Sequence, residues 1–390
     1  MAKRRTKTPR SRSGGGSRKS TGAGGRAGGW LAAALFLAAG GAGAWFWLGG
    51  EEAAPPRTPA PAGAVSAAKG ERVAAAPKPA SSGAGAKAPT GSGHAVVKFE
   101  APDVYPRSPT SWLEAQVALS RRGYSCGSID GVGGAQTVAA WRAFQAQEGL
   151  AETSWLDGNT CAALPLEAAP TTTYTVAAAD LARLQPVSPT WLGKSEQTAL
   201  DYETLLELVG ERFRAHPTLL KKLNPAFDWD RPVAGARLVV PAAARTAPRA
   251  KAAALHVQLA AHTLQAYDDA GRMIAHFPVS IAKKAEKRPV GELHVTVVIA
   301  DPNYTFDPDV FPESAEGREL GRRLVVPPGP NNPVGVAWVG LDRSGYGIHG
   351  TPNPEQVGRT ESHGCFRLAN WDARTLLDLA WVGLPVYVDP

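Results

Sequence analysis

The chain has 390 residues, 44% hydrophobic and 20% charged, which is enough apolar material for two or three packed domains. Its formal net charge of +7 suggests a nucleic-acid partner only until the charge is located. Nine Lys/Arg and no acid fall in residues 1–29, so subtracting 9 from +7 leaves −2 for the rest, and a phosphate-tracking surface is excluded.

After this basic tail, residues 30–48 (WLAAALFLAAGGAGAWFWL) are nineteen residues without a charge. At 1.5 Å per residue they span roughly 28 Å, close to a hydrocarbon core of ~30 Å. Trp30, Trp45 and Trp47 lie near the ends, where aromatic belts form. The unbalanced positive charges ahead of the span predict a cytoplasmic N-terminus and an inner-membrane, single-pass anchor, with the C-terminal domains in the periplasm or cell-wall space. A cleaved signal peptide is the rival, but the run is long and WFWLGGEE holds no small-x-small site before Glu51. Residues 49–108 are mostly Ala, Pro, Gly, Ser and Lys and read as a disordered tether, unable to bury enough surface to offset ordering entropy.

Three modules follow, giving a multidomain α+β chain. In residues 109–166, Leu113 and Val117, then Val138, Trp141 and Phe144, have helical spacing. Asp157 is placed to cap a short third helix, and SCGSIDGVGGAQT is a glycine-dense turn between the first two. Leu119, Gly123-Tyr124, Ile129-Asp130-Gly131, Thr137, Phe144-Gln145 and Leu156-Asp157 resemble the three-helix peptidoglycan-binding domains. Gly133 departs from that family, which has an aromatic residue there. Residues 171–242 open on TTTYTV, close on RLVVP, and hold helical apolar positions at Leu205, Val209, Phe213, Leu219, Leu220 and Leu223. Tyr174-Thr175-Val176, Asn224-Pro225, Gly235 and Leu238 resemble a LysM βααβ module, with an insertion over 177–201; a structural spacer is the alternative. Residues 252–390 are mainly β. Leu255, Val257 and Leu259, then Phe277, Val279 and Ile281, then Leu293, Val295, Val297 and Ile299 alternate, and one helix follows with Asn370 as its cap.

The chemistry is concentrated in YGIHGTPNPEQVGRTESHGCFRL, residues 346–368. A thiol with a free pKa of about 8.5 needs a base near neutral pH, and histidine suits that task. Backbone amides beside Cys365 can face an oxyanion. A zinc site is disfavoured, because His349, His363 and Cys365 lack paired ligand spacing. Gly350, Gly358 and Gly364 also fit turn positions with positive φ.

Pro289-Val290-Gly291-Glu292, Asn332-Pro333-Val334-Gly335, Gly347-Ile348-His349-Gly350-Thr351 and Ser362-His363-Gly364-Cys365-Phe366-Arg367 closely resemble the L,D-transpeptidase (YkuD-type) catalytic domain. The resemblance implies a nucleophile at Cys365 and a base at His349, oriented by the carbonyl of Gly350. His363 and Gly364 shape the oxyanion site, and family members with Lys in place of His363 leave His349 as the essential base. Ser362, Arg367 and Tyr304 are expected at the substrate, with Arg367 holding a carboxylate or bracing the loop. The implied partners are peptidoglycan stem peptides and glycan strands, together with carbapenem-type inhibitors; no metal or organic cofactor is implied. The implied reaction is attack of Cys365 on a stem tetrapeptide, loss of the terminal D-residue, and capture of the thioester by a neighbouring stem amine. The Pro- and Gly-rich segment 300–332 is read as a lid that excludes water. The alternatives are an L,D-carboxypeptidase, a D-amino-acid exchanger or a protein-to-wall attachment enzyme using the same thiol, and a non-enzymatic wall tether. An extracytoplasmic location permits a disulfide, and Cys126 with Cys161 is the expected pair, closing a loop worth roughly 4 kcal/mol.

Overall fold

The computed structural model describes residues 104–390, apart from 245–249, 312 and 360–363. The anchor span 30–48 and nearly all of the tether lie outside the described residues, as do Ser362 and His363. Among the described residues no helix is long and apolar enough to cross a membrane.

The first module is the expected set of three helices, α1 (Trp112–Arg121), α2 (Ala135–Gln147) and α3 (Gly158–Ala163). Ser111 and Asp157 cap α1 and α3 by accepting the amides of Glu114 and Thr160. Trp141, Phe144 and Leu119 are fully buried, each such side chain contributing about 1.5–3 kcal/mol or somewhat more. The glycine-dense turn is organised by one buried amide. Gln116 donates to Asp130 (2.8 Å) and Thr137 (2.9 Å) and accepts from the Gly131 amide (2.8 Å). The departure at Gly133 has a steric reason: a Cβ there would lie 2.4 Å from the Trp112 indole, which fills that space. Cys126 and Cys161 share this core as free thiols, so the expected bridge is corrected. They serve as small apolar side chains, and burial raises both thiols above the ordinary range.

The second module pairs β1 (Thr171–Thr175) antiparallel with β2 (Arg237–Pro241) and encloses α4 (Ala178–Leu181), α5 (Trp191–Glu196), α6 (Leu205–Phe213) and α7 (Pro217–Leu223). Leu205, Leu208, Val209, Leu220, Leu238 and Val240 form its core, while Leu219 packs into the core of the first module. The two modules also share backbone: Ile129 donates to the Arg214 carbonyl and His216 to the Ile129 carbonyl, at 2.7 and 2.8 Å.

The third module is built on an eight-stranded mixed sheet. Its strands are β3 (Ala254–Gln258), β4 (Thr263–Tyr267), β5 (Met273–Pro278), β6 (Gly291–Ala300), β9 (Ala337–Leu341), β10 (Gly347–His349), β11 (Phe366–Arg367) and β12 (Pro385–Asp389). Their order is β11-β10-β9-β6-β12-β3-β4-β5. A small hairpin, β7 (Tyr304–Phe306) with β8 (Leu324–Val326), carries α8 (Ala315–Leu320) between its strands. The single long helix α9 (Asn370–Leu379) buries Ala373, Leu376 and Leu379 on the sheet. Leu293 and Val295 are buried as the alternation predicts, but Val297 and Ile299 are 37% and 39% exposed. The register shifts between Val295 and Val297, and that irregularity breaks the alternation.

The first module is tied directly to the catalytic sheet. Ser125 N–H donates to His276 O (2.9 Å) in β5, and Ser125 Oγ donates to Asp372 (2.8 Å) in α9. Gln136 in α2 donates to the Val357 carbonyl of the motif loop.

Candidate active site

The site lies at one end of the sheet, on β9, β10 and β11. Trp338, His349 and Arg367 stand opposite one another across these strands. Cys365 immediately precedes β11, and the β10–β11 register brings it to Gly347. Its Sγ donates to the Gly345 carbonyl at 3.4 Å, and the Gly347 amide favours its thiolate. His349 is 4% exposed, and its Nδ1–H donates to the Gly350 carbonyl at 2.6 Å. That bond places the ring proton on Nδ1 and the basic lone pair on Nε2. The Trp338 ring stacks on the imidazole with centroids 5.8 Å apart. Gly347 makes room for the indole, since a Cβ there would lie 2.4 Å from it.

The Gly350 carbonyl is itself held in place by a residue read from sequence only as a helix cap. The N-cap of α9 is Ala369, and Asn370 is the first residue of the helix, buried, with its amide wedged between two glycines. A Cβ at Gly350 would lie 2.2 Å from Asn370 Oδ1, and one at Gly335 2.0 Å from it. Asn370 Oδ1 accepts from the Val336 amide at 3.3 Å, and Nδ2 donates to Pro330 O at 3.0 Å and to Glu211 Oε2 at 2.9 Å. Glycine is thus required at Gly350 by contact rather than by φ. Of the three glycines expected at positive φ, only Gly358 has it, at 71°.

Burial decides the resting charge state. It pushes the Cys365 thiol up to about 11, with the Gly347 amide and the Arg367 charge acting in the opposite direction. It brings His349 down to about 3, helped by Arg367 and opposed by the Gly350 carbonyl. The pair at rest is therefore a neutral thiol beside a neutral imidazole. Arg367 acts on both, favouring an anion on sulfur and disfavouring a cation on the ring. Its backbone pairs with Ser280 in both directions at 3.0 Å, and Ser280 Oγ accepts from Gly358 at 2.9 Å. This braces the loop.

The structure thus brings Cys365, His349, Gly350 and Arg367 together, and Gly364 is partly exposed beside the cysteine. Tyr304 is 1% exposed inside the hairpin's aromatic cluster, as buried as the catalytic pair itself, and its hydroxyl pKa is raised by that burial and by the nearby charge of Cys365. Sequence reasoning did not single out Trp338 or Glu211 and misread the role of Asn370. Among the described residues no group of His, Cys, Asp and Glu is arranged to hold a metal ion.

A buried thiol, a backbone-anchored imidazole and an arginine on adjoining strands of a mixed sheet define a cysteine–histidine enzyme domain. Residues 252–388 match the family model of the L,D-transpeptidase catalytic domain, and residues 108–164 match that of a peptidoglycan binding domain. The YkuD protein of Bacillus licheniformis, named as an L,D-transpeptidase, is 26% identical over 47% of this chain and 93% of its own length. YbiS of Escherichia coli strain K12, also named as an L,D-transpeptidase, is 28% identical over 46% of this chain and 58% of its own length. A solved L,D-transpeptidase from Xylanimonas cellulosilytica aligns at 16% identity and a TM-score of 0.31, over 73% of this chain and 99% of that one. The chain carries an L,D-transpeptidase catalytic domain beside a peptidoglycan-binding domain, and it is an enzyme of the L,D-transpeptidase class.

Proposed function

We propose that the chain joins peptidoglycan stem peptides through a thioester on Cys365, working from a membrane anchor at 30–48. The observation that carries this reading is the placement of Cys365 beside Gly347, two residues before His349, whose Nδ1 is fixed by the 2.6 Å bond to Gly350. Sγ attacks the carbonyl of the third stem residue, and His349 Nε2 takes the thiol proton as the S–C bond forms. Because the resting pair is neutral, the proton moves with the attack rather than before it. The C–N bond to the terminal D-residue then breaks, and the same proton goes to the leaving amine. An incoming stem amine attacks the thioester, gives its proton to His349, and releases the thiol as the new amide forms. His363 and Gly364 belong to the oxyanion side in this scheme and Ser362 to the substrate side, as the family resemblance implies. The first module supplies wall affinity, and its contacts to β5 and α9 hold it at a set distance from Cys365.

The test incubates the full chain with disaccharide-tetrapeptide and resolves products by mass. A crosslinked dimer with loss of one D-alanine is expected, together with its absence in Cys365→Ala and an imipenem adduct on wild type only. Tripeptide without dimer replaces this reading by L,D-carboxypeptidase. No product and no adduct replaces it by a wall tether.

A further inference from the structure

The segment between α4 and α6 leaves the core of its own module and enters another. Val187, Trp191, Leu192 and the fully buried Leu200 pack with Tyr304, Phe306 and the rest of the β7–β8 hairpin of the catalytic domain. The Trp191 ring stacks on Phe306 at 4.4 Å with planes 13° apart, and it lies 5.8 Å from Tyr304. This strap is pinned at both ends. Trp191 and Leu192 donate their amides to the Glu316 carboxylate of α8 at 2.9 and 2.8 Å. Leu200 donates to Pro328 O at 2.9 Å and accepts from the Asn331 amide at 3.0 Å. No side chain fits at Gly329, where a Cβ would lie 2.1 Å from the Leu200 carbonyl.

The clamped hairpin reaches the catalytic histidine. Trp338 packs against the hairpin cluster and also stacks on His349. Trp338 thus links the cluster that holds Trp191 to the imidazole.

We propose that Trp191, supplied by the middle module, is a positioning residue for the acyl-transfer step. Through the hairpin it holds Trp338 against His349 and closes one side of the thioester to water, so it sets how the acyl group divides between amine and water. This rests on the acyl-transfer reading above. The insertion that departs from a LysM pattern is thereby the working part of the middle module, joining the wall-facing half of the chain to the catalytic pair.

The full-length wild type, Trp191→Ala, Trp191→Phe and Glu316→Gln are compared on tetrapeptide donor with a fixed concentration of amine acceptor. The readout is the ratio of hydrolysed tripeptide to crosslinked product. Trp191→Ala is expected to raise the ratio at least threefold, Glu316→Gln to move it the same way, and Trp191→Phe to restore it within twofold. Amide exchange in β7 and β8 is measured on the same samples and is expected to quicken at least tenfold in Trp191→Ala. Wild-type turnover with an unchanged ratio in Trp191→Ala overturns this proposal alone, whether or not hairpin exchange quickens. A wild type that releases no D-alanine overturns the acyl-transfer reading and this proposal with it.

Discussion

Glu211 offers a quantitative check on how the middle module meets the active site. Its carboxylate sits at the end of α6, accepting from Asn370 Nδ2 at 2.9 Å and from the Tyr202 hydroxyl at 3.3 Å, with Glu207 adding repulsion and Arg374 a smaller attraction. Burial is the dominant effect and raises the carboxyl from 4.5 to about 7. The folded state therefore holds the proton more tightly than the unfolded state does. The stabilisation is full below pH 4.5 and is lost as pH rises through 7. Two and a half pH units at about 1.4 kcal/mol each give about 3 kcal/mol, of which about 2.5 kcal/mol is lost between pH 5 and pH 8. His276 and His349, held at about 4 and about 3 by burial, work in the other direction below pH 6.5. Both are kept in the comparison and cancel. Glu211→Gln removes the titration but keeps a side chain of the same shape. Urea unfolding followed by tryptophan fluorescence at pH 5 and pH 8 should show wild type losing about 2.5 kcal/mol more than Glu211→Gln over that interval. Equal losses in the two proteins, within about 0.5 kcal/mol, would refute the assignment of a proton-holding carboxyl at this contact.

Gly335→Ala places a methyl against Asn370 Oδ1 and the Gly350–Thr351 backbone in a residue with φ of 60°. It should cost about 1–3 kcal/mol in thermal unfolding and slow acylation by imipenem, because the Gly350 carbonyl that orients His349 must move. An unchanged acylation rate would show that the wedge is not coupled to the imidazole. With the Cys365 thiol at about 11, iodoacetamide labelling of resting enzyme should climb about tenfold per pH unit from pH 7 to pH 9. A plateau near pH 7, read by intact mass with Cys365→Ala as the blank, would instead mean a preformed thiolate–imidazolium pair.

The reactive pair, the helical character of the first module and most of the β alternation were determined by local sequence, because they rest on short-range patterns. Helical spacing marks Trp141 and Phe144, alternation marks Leu255 and Val257, and the SHGC and HG segments place two chemically distinctive residue types among glycines. Other features were decided only in three dimensions. Asn370 looked like a cap because a polar residue at a helix start ordinarily meets the helix's own amides; here it meets Val336, Pro330 and a glutamate 159 residues away in sequence. Tyr304 was legible as a residue near the site, but its burial with Phe306 under a tryptophan from the preceding module was not. The insertion at 177–201 read only as a departure from a LysM-like pattern, and its residues Val187, Trp191, Leu192 and Leu200 pack into the hairpin of the catalytic domain. These pairings join residues 34 to 159 positions apart, and no periodicity or motif carries that information. It is fixed by which surfaces remain to be covered once each module has folded.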